Sequence, residues 1–311
     1  MTDRPLLRIG SRGSPLALIQ AEEVKARLRA AHPELQEDGA ITIEVIKTSG
    51  DRLREQSLAE LGGKGLFTKE IEEALLAKRI DIAVHSMKDM LAWLPDGLAV
   101  PCILPREDPR DALIALEARA LADLPEGARV GTASPRRAAQ LLLRRPDLEI
   151  VSLRGNVQTR LRKIKDGVAD ATLLALAGLK RLGLEAEASA VLEPDEMLPA
   201  VAQGAIGVEC RAHDGPVAAY LEPLNDLDSW WCVAAERSLL AALGGSCKTP
   251  IAGLARLEGA DEIRLDALIV KPDGSAYHRA HRKGARDEGA RLGAEAGLEL
   301  KGQAGEGFFE V

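Results

Sequence analysis

Residues 85–89 read His-Ser-Met-Lys-Asp and follow the apolar run Ile80-Asp81-Ile82-Ala83-Val84. That run is branched and alternating enough for a short buried strand. An imidazole, a hydroxyl, an ammonium and a carboxylate thus gather where a strand ends, the place where open α/β sheets meet their ligands. Lys88 and Asp89 are adjacent, so each can face a different ligand group; the competing reading is a solvated ion pair of little energetic weight. A second concentration is cationic. Residues 129–163 hold eight arginines and one lysine against Asp147 and Glu149, inside a chain whose net charge is −7. Such contrast suits a small polyanion better than a nucleic acid, which selects a broader basic face. Arg136 and Arg137 follow Ser134-Pro135, an N-cap and a first helical residue. Cations there oppose the helix dipole, so two of them are expected to share an anion with the free backbone N–H groups. Arg154 opens the turn Arg154-Gly155-Asn156 just past a strand, and Arg160 lies about one helical turn further on. Ligand contact is the favoured reading for Arg136, Arg137 and Arg154; Arg144, Arg145 and Arg162 read as a solvated helix face.

The elements that must position these groups alternate. A strand over residues 6–9 leads through Ser11-Arg12-Gly13-Ser14-Pro15 into a helix whose stripe is Ala17, Ala21, Val24, Leu28 and Ala31. Arg12 then sits in a strand-to-helix turn, beside a helix N-terminus that favours anions. Ile41, Ile43 and Val45 make a second strand. Gly62-Gly63-Lys64-Gly65 is no P-loop, since no Ser or Thr follows the lysine, and reads as a mobile loop with Lys64 near the ligand. Thr68 is expected to cap a helix carrying Ile71, Ala74 and Leu75, which leads back to the strand before His85. Strand, helix, strand, helix, strand is a parallel α/β pattern. A strand over 98–104 runs into the charged crossing 105–110, read as a domain boundary. A second α/β unit has strands over 128–131, 149–153 and 169–176. Residues 201–210, with Gln203-Gly204 at their start, look like a return into the first sheet. Beyond them come a helix capped by Asp228 and ending at Gly244-Gly245, a hairpin turning at Pro272-Asp273-Gly274, and a helix over 285–298, a small α+β domain.

At 311 residues the chain is long enough for two or three domains. Its apolar and charged fractions, 46% and 29%, are those of a soluble globular protein. No apolar run approaches a membrane span, and Met1-Thr2-Asp3-Arg4-Pro5 lacks a signal-peptide core, so a cytoplasmic location is expected. The four cysteines are scattered without a CxxC pair, which argues against zinc or a disulfide framework. Cys102, Cys210 and Cys232 lie in apolar segments and read as inert filler. Cys247 follows two glycines and precedes Lys248, a setting that can lower a thiol pKa; whether it is reactive stays open on these grounds.

In order and spacing, SRGSPLAL, GGKGLFTKE, DIAVHSMKD, GTASPRR, SLRGNVQTR, LAGLKRLG, PAVAQGAIGVEC and GGSCKTP resemble the porphobilinogen deaminase (hydroxymethylbilane synthase) family over nearly the whole chain. The resemblance implies two α/β domains arranged like periplasmic binding proteins, the first discontinuous (1–104 with 199–222; the second 105–198), plus a small α+β C-terminal domain (223–311). It implies a transferase that joins four porphobilinogen units head to tail, releasing ammonia each time, on a dipyrromethane primer bound by thioether to Cys247. Hydroxymethylbilane then leaves by hydrolysis, a step of haem and tetrapyrrole biosynthesis. By matching position, Asp89 is the catalytic aspartate, and Ser86, Lys88, Asp89, Ser134, Arg136, Arg137, Arg154, Gly155 and Gln203 hold the primer. Arg12, Ser14, Lys64, Arg154, Arg160 and Arg181 bind substrate. Every pyrrole carries an acetate and a propionate, and guanidinium forks suit such carboxylates. A carboxylate about 4 Å from the cation left by ammonia, at an effective dielectric near 20, is worth roughly 4 kcal/mol. The expected partners are porphobilinogen alone, with no nucleic acid, membrane or metal, and the protein is expected to be a monomer. The other reading is a non-catalytic two-domain binder of a small polycarboxylate. Three positions depart from the family pattern. Glu60 stands where a lysine is common, Met90-Leu91 follow Asp89 where a proline is usual, and Ser246 replaces a common glycine.

Overall fold

The structure, a computed structural model, describes residues 5–49, 68–246 and 249–310. Lys64, Glu60 and Cys247 lie outside the described residues. In chain order the first elements are β1 (Leu7–Ser11), α1 (Pro15–Ala31), β2 (Ile41–Val45), α2 (Lys69–Leu76), β3 (Ile82–Ser86) and β4 (Leu98–Ile103). Next come β5 (Asp111–Ala115), β6 (Arg129–Gly131), α3 (Pro135–Arg144), β7 (Glu149–Val151), α4 (Val157–Lys165), β8 (Ala171–Ala175), α5 (Leu176–Arg181) and β9 (Ala190–Leu192). The chain continues through β10 (Ile206–Arg211), α6 (Gly215–Leu221), α7 (Leu227–Leu243), β11 (Ile251–Glu258), β12 (Glu262–Val270), β13 (Tyr277–Ala285) and α8 (Gly289–Ala304).

These elements form two compact units, Met1–Arg106 with Ala205–Trp230, and Glu107–Gly204 with Trp231–Val311. The first unit holds a mixed five-stranded sheet in the order β2-β1-β3-β10-β4. Strands β1, β2 and β3 run parallel, as their helical connections require, whereas the return strand β10 enters antiparallel between β3 and β4. Helix α1 begins as its sequence indicates, with Ser14 Oγ accepting the Ala17 amide at 3.3 Å and Pro15 in the first turn. Its inward face is Gln20, Ala21, Val24 and Leu28; Ala31 faces solvent. Leu7, Ile9, Ile82, Val84, Ile206 and Val208 pack beneath it. Thr68 precedes α2 without a side-chain capping bond, contrary to expectation, while Ile71, Ala74 and Leu75 are buried as expected.

The second unit contains a five-stranded sheet, β7-β6-β8-β5-β9, and an antiparallel three-stranded sheet, β11-β12-β13. Strands β5, β9 and β11 have no counterpart in the sequence reading. β5 opens on a charged residue after Pro109-Arg110, and β9 is three residues long. Asp226, rather than Asp228, caps α7, its Oδ1 accepting the Ser229 amide at 2.8 Å. Gly244 leaves the helix with φ 64°, as the double glycine suggests. Among the described residues no helix is long and apolar enough to cross a membrane.

Candidate active site

Strand β3 runs two residues further than its apolar core, so His85 and Ser86 are still in the sheet and only Met87–Asp89 form a single turn of 3-10 helix. Pairing with β10 explains this: Ile206 lies opposite Ser86, and Gly207 opposite His85. An open pocket lies at the carboxyl ends of β1 and β3, lined by Arg12, Ser14, Gln20, His85, Ser86 and Asp89 among others. Arg12, Ser14, Ser86 and Asp89 were expected as site residues, and His85 as part of the strand-end cluster. Asp89 is exposed, Ser86 and Arg12 are half-buried. Lys88 occupies the same turn but not this pocket wall.

Two residues behind this wall had not been singled out. Gln20 is buried and exchanges hydrogen bonds with Ser86 Oγ at 2.9 and 3.0 Å, which holds the hydroxyl at the pocket edge. Glu209, fully buried on β10, places Oε2 2.9 Å from His85 Nε2. A glutamate in the middle of the apolar run Ile206-Gly207-Val208-Glu209-Cys210 was a legible signal, because a buried carboxylate needs a partner. Nearby, burial raises the Glu72 carboxyl above its ordinary value, and the charge of Glu209 adds to the rise.

In the second unit the arginines fall into two groups. Ser134 caps α3, Oγ accepting the Arg137 amide at 3.5 Å, and both arginines of the first turn are buried. The anion they share is Asp111, the first residue of β5. Arg137 Nε and Nη2 donate to Asp111 Oδ1 at 3.2 and 2.7 Å, and Arg136 Nη2 lies 2.7 Å from Oδ2. Gln203 Nε2 donates to the same Oδ1 at 3.0 Å and to Pro109 O at 2.7 Å. The two arginines thus share a carboxylate of the chain itself, where the sequence predicts an anion bound together with the backbone N–H groups of the helix. The signal for that carboxylate was an Asp opening the apolar run Ala112-Leu113-Ile114. Arg181 Nη2 donates to Gly204 O at 2.9 Å, in the neighbouring crossing. The other group is the turn after β7. Gly155 has φ 122°, where a Cβ would come within 2.7 Å of Thr159 Cγ2. Asn156 caps α4 through the Thr159 amide at 2.9 Å, and Arg160 Nε donates to Gly155 O at 2.9 Å. Arg154 is half-buried beside it.

The donor set suits a polycarboxylate ligand. Arg136 Nε is buried and has no hydrogen-bond partner among the described residues, so donor capacity remains beyond what Asp111 uses. Cys102, Cys210 and Cys232 are buried, and burial pushes the first two thiols up to about 12 and about 11. They are filler, as expected.

Among solved structures, an ABC-transporter periplasmic substrate-binding protein from Coxiella burnetii is similar over 70% of this chain and 91% of its own, at TM-score 0.43 and 15% identity. Relatives in sequence are far nearer. Porphobilinogen deaminase of Paracoccus denitrificans is 57% identical over 304 residues, 98% of this chain and 96% of its own. The chloroplastic porphobilinogen deaminase of Oryza sativa is 54% identical over 307 residues, 98% of this chain and 86% of its own. The family model for the porphobilinogen deaminase dipyrromethane cofactor binding domain matches residues 7–219, and that for the C-terminal domain matches 230–302. The chain belongs to the porphobilinogen deaminase family. Membership does not favour the non-catalytic polycarboxylate binder. The pocket at β1 and β3 and the arginine groups around β5 and β7 all fall within the part matched by the cofactor-binding model.

Proposed function

We propose that Asp89 is the catalytic carboxylate of a porphobilinogen deaminase whose pocket is built from Arg12, Ser14 and Ser86, and whose primer hangs from Cys247. As a member of its family the protein is a transferase: it condenses four porphobilinogen molecules head to tail with loss of ammonia and releases hydroxymethylbilane by hydrolysis. The dipyrromethane cofactor supplies a nucleophilic pyrrole carbon at the end of a tethered chain, which makes each coupling effectively intramolecular on the acceptor side. The observation that carries the assignment of roles is one pocket presenting a guanidinium, two hydroxyls and a carboxylate at the carboxyl ends of adjacent parallel strands.

In this reading Arg12, Ser14 and Lys64 bind the acidic arms of the substrate, and Ser86 holds the primer. Ser86 is itself held by Gln20. Asp89 stabilises the cation left when ammonia departs and then receives the proton lost on coupling. Its exposure matters: a carboxylate in water gains about 1 kcal/mol from a charge at 4 Å, against roughly 4 kcal/mol once solvent is displaced. A bound oligopyrrole would displace water around Asp89 and move the interaction toward the larger figure. Ser134, Arg136, Arg137, Arg154, Gly155 and Gln203 hold the primer with Lys88; Arg154, Arg160 and Arg181 serve the acidic arms of incoming substrate. The three-domain division at 104/105, 198/199 and 222/223, a monomeric state, a cytoplasmic location and porphobilinogen as sole partner belong to the same proposal.

Intact mass of the native protein tests it. The expected result is a mass heavier than the sequence by two linked pyrroles, lost in Cys247→Ser. Asp89→Asn should keep the extra mass while kcat falls by about 10² to 10³, the factor a charge interaction of roughly 3–4 kcal/mol supplies. A Cys247→Ser protein that retained the adduct, or an Asp89→Asn enzyme of near-normal kcat, would overturn these assignments.

A further inference from the structure

Resting on the reading above, in which Arg136 and Arg137 grip the primer, we propose that Asp111 is the positioning residue that makes the arginine pair competent to capture it. Asp111 touches no reacting atom; it acts through the two guanidinium groups. Its side chain is fully buried at the first position of β5, and both its oxygens face arginine. Each guanidinium is fixed at two corners. Arg136 Nη2 meets the carboxylate while Nη1 donates to Leu198 O at 2.7 Å. Arg137 offers Nε and Nη2 to the carboxylate while Nη1 donates to Leu173 O at 2.8 Å. Gln203 Nε2 closes the cage on Oδ1.

Three consequences follow from that geometry. A guanidinium has five N–H groups, so two or more on each arginine are left over, the buried Arg136 Nε among them. Two cations and one anion sum to a single positive charge, which suits one incoming carboxylate without leaving like charges opposed beforehand. And the pair stands at the N-terminus of α3, where the dipole repels it. Asp111 is thus the group that keeps both forks in place. Without it two adjacent buried cations would turn apart and lose the orientation that the carboxylate gives them.

A purely architectural Asp111 would lower the melting temperature and leave capture by folded protein unchanged. The distinguishing experiment uses full-length apo-protein made in cells that cannot synthesise porphobilinogen. It is loaded in vitro with porphobilinogen, well below each variant's melting temperature, and followed by intact mass. Wild type should gain the two-pyrrole mass. Asp111→Asn should load at least about tenfold more slowly although folded by circular dichroism. Asp111→Glu keeps the buried charge but moves the carboxylate out by one methylene, and should load at least about threefold more slowly. Smaller effects in folded Asp111→Asn overturn the proposal; if that variant does not fold, a smaller effect in Asp111→Glu does so alone. A wild type that gains no mass is a different result, the failure of the primer reading itself.

Discussion

A carboxylate between two guanidinium groups has a pH signature of its own. Burial by itself would raise the Asp111 carboxyl, but the charges of Arg136 and Arg137 outweigh it and hold that carboxyl well below the ordinary range. A depressed folded value gives stability that is fully present above the unfolded value of about 3.9 and is lost as pH falls through the folded one. The melting temperature should therefore hold its Asp111 contribution from pH 7 down to about 4.5 and lose it only in stronger acid. Asp111→Asn, if folded, should have a lower melting temperature at pH 7 and a shallower acid limb, read by calorimetry across pH. Asp81 behaves in the same sense, burial being outweighed by its hydrogen bonds to Arg8, so some acid limb should persist in the variant. An acid limb unchanged by the substitution would mean that Asp111 is not ionised in the folded protein.

At the scale of elements, the crossing beside the arginine cage is set by one close approach. Gly204 has φ 88°, and a Cβ there would lie 2.2 Å from Glu107 O, which is backbone and cannot step aside. Lys180 Nζ donates to Glu107 Oε1 at 2.8 Å and Arg181 Nη2 to Gly204 O, so α5 clasps both strands of the crossing. Gly204→Ala should cost about 2–4 kcal/mol, from the strained conformation and the forced displacement together. Gly215, at the start of α6, has open space at its Cβ and no left-handed φ, so Gly215→Ala should change stability by less than about 1 kcal/mol. Denaturant melts of the two variants check the contrast; equal midpoints would show that the crossing yields more readily than its packing implies.

The second unit as a whole depends on another buried carboxylate, Glu236. Glu236 on α7 is fully buried; Oε1 accepts the Ala255 amide of β11 at 2.7 Å, and Oε2 accepts the Ala202 amide at 2.5 Å. Ala202 is a non-glycine residue with φ 58°, a conformation that needs such outside support. One side chain thereby joins the segment before Gln203, a long helix and the three-stranded sheet. Glu236→Leu strands two buried amides and should destabilise by about 2–5 kcal/mol, whereas Glu236→Gln, which can still accept one bond, should lose less. The order Leu worse than Gln, measured by thermal unfolding of the intact chain, is the check; Leu no worse than Gln would remove the cross-linking role.

What residue order alone determined was local. Ser14-Pro15 and Ser134-Pro135 start helices because capping needs only neighbouring groups, and the apolar runs before Ser86 and Arg154 form strands through period-two patterning. The same local reading placed Arg12, Ser14, Ser86 and Asp89 at strand ends, and the ordered motifs indicated the family. Tertiary structure decided which charges meet. Asp111 and Arg137 are 26 positions apart, His85 and Glu209 124, and Gln20 and Ser86 66. No window of sequence contains both members of such a pair, and each pair exists because separate strands and helices are brought side by side. The same holds for β5, whose opening aspartate reads in sequence as a loop charge and in the fold lies buried between two arginines.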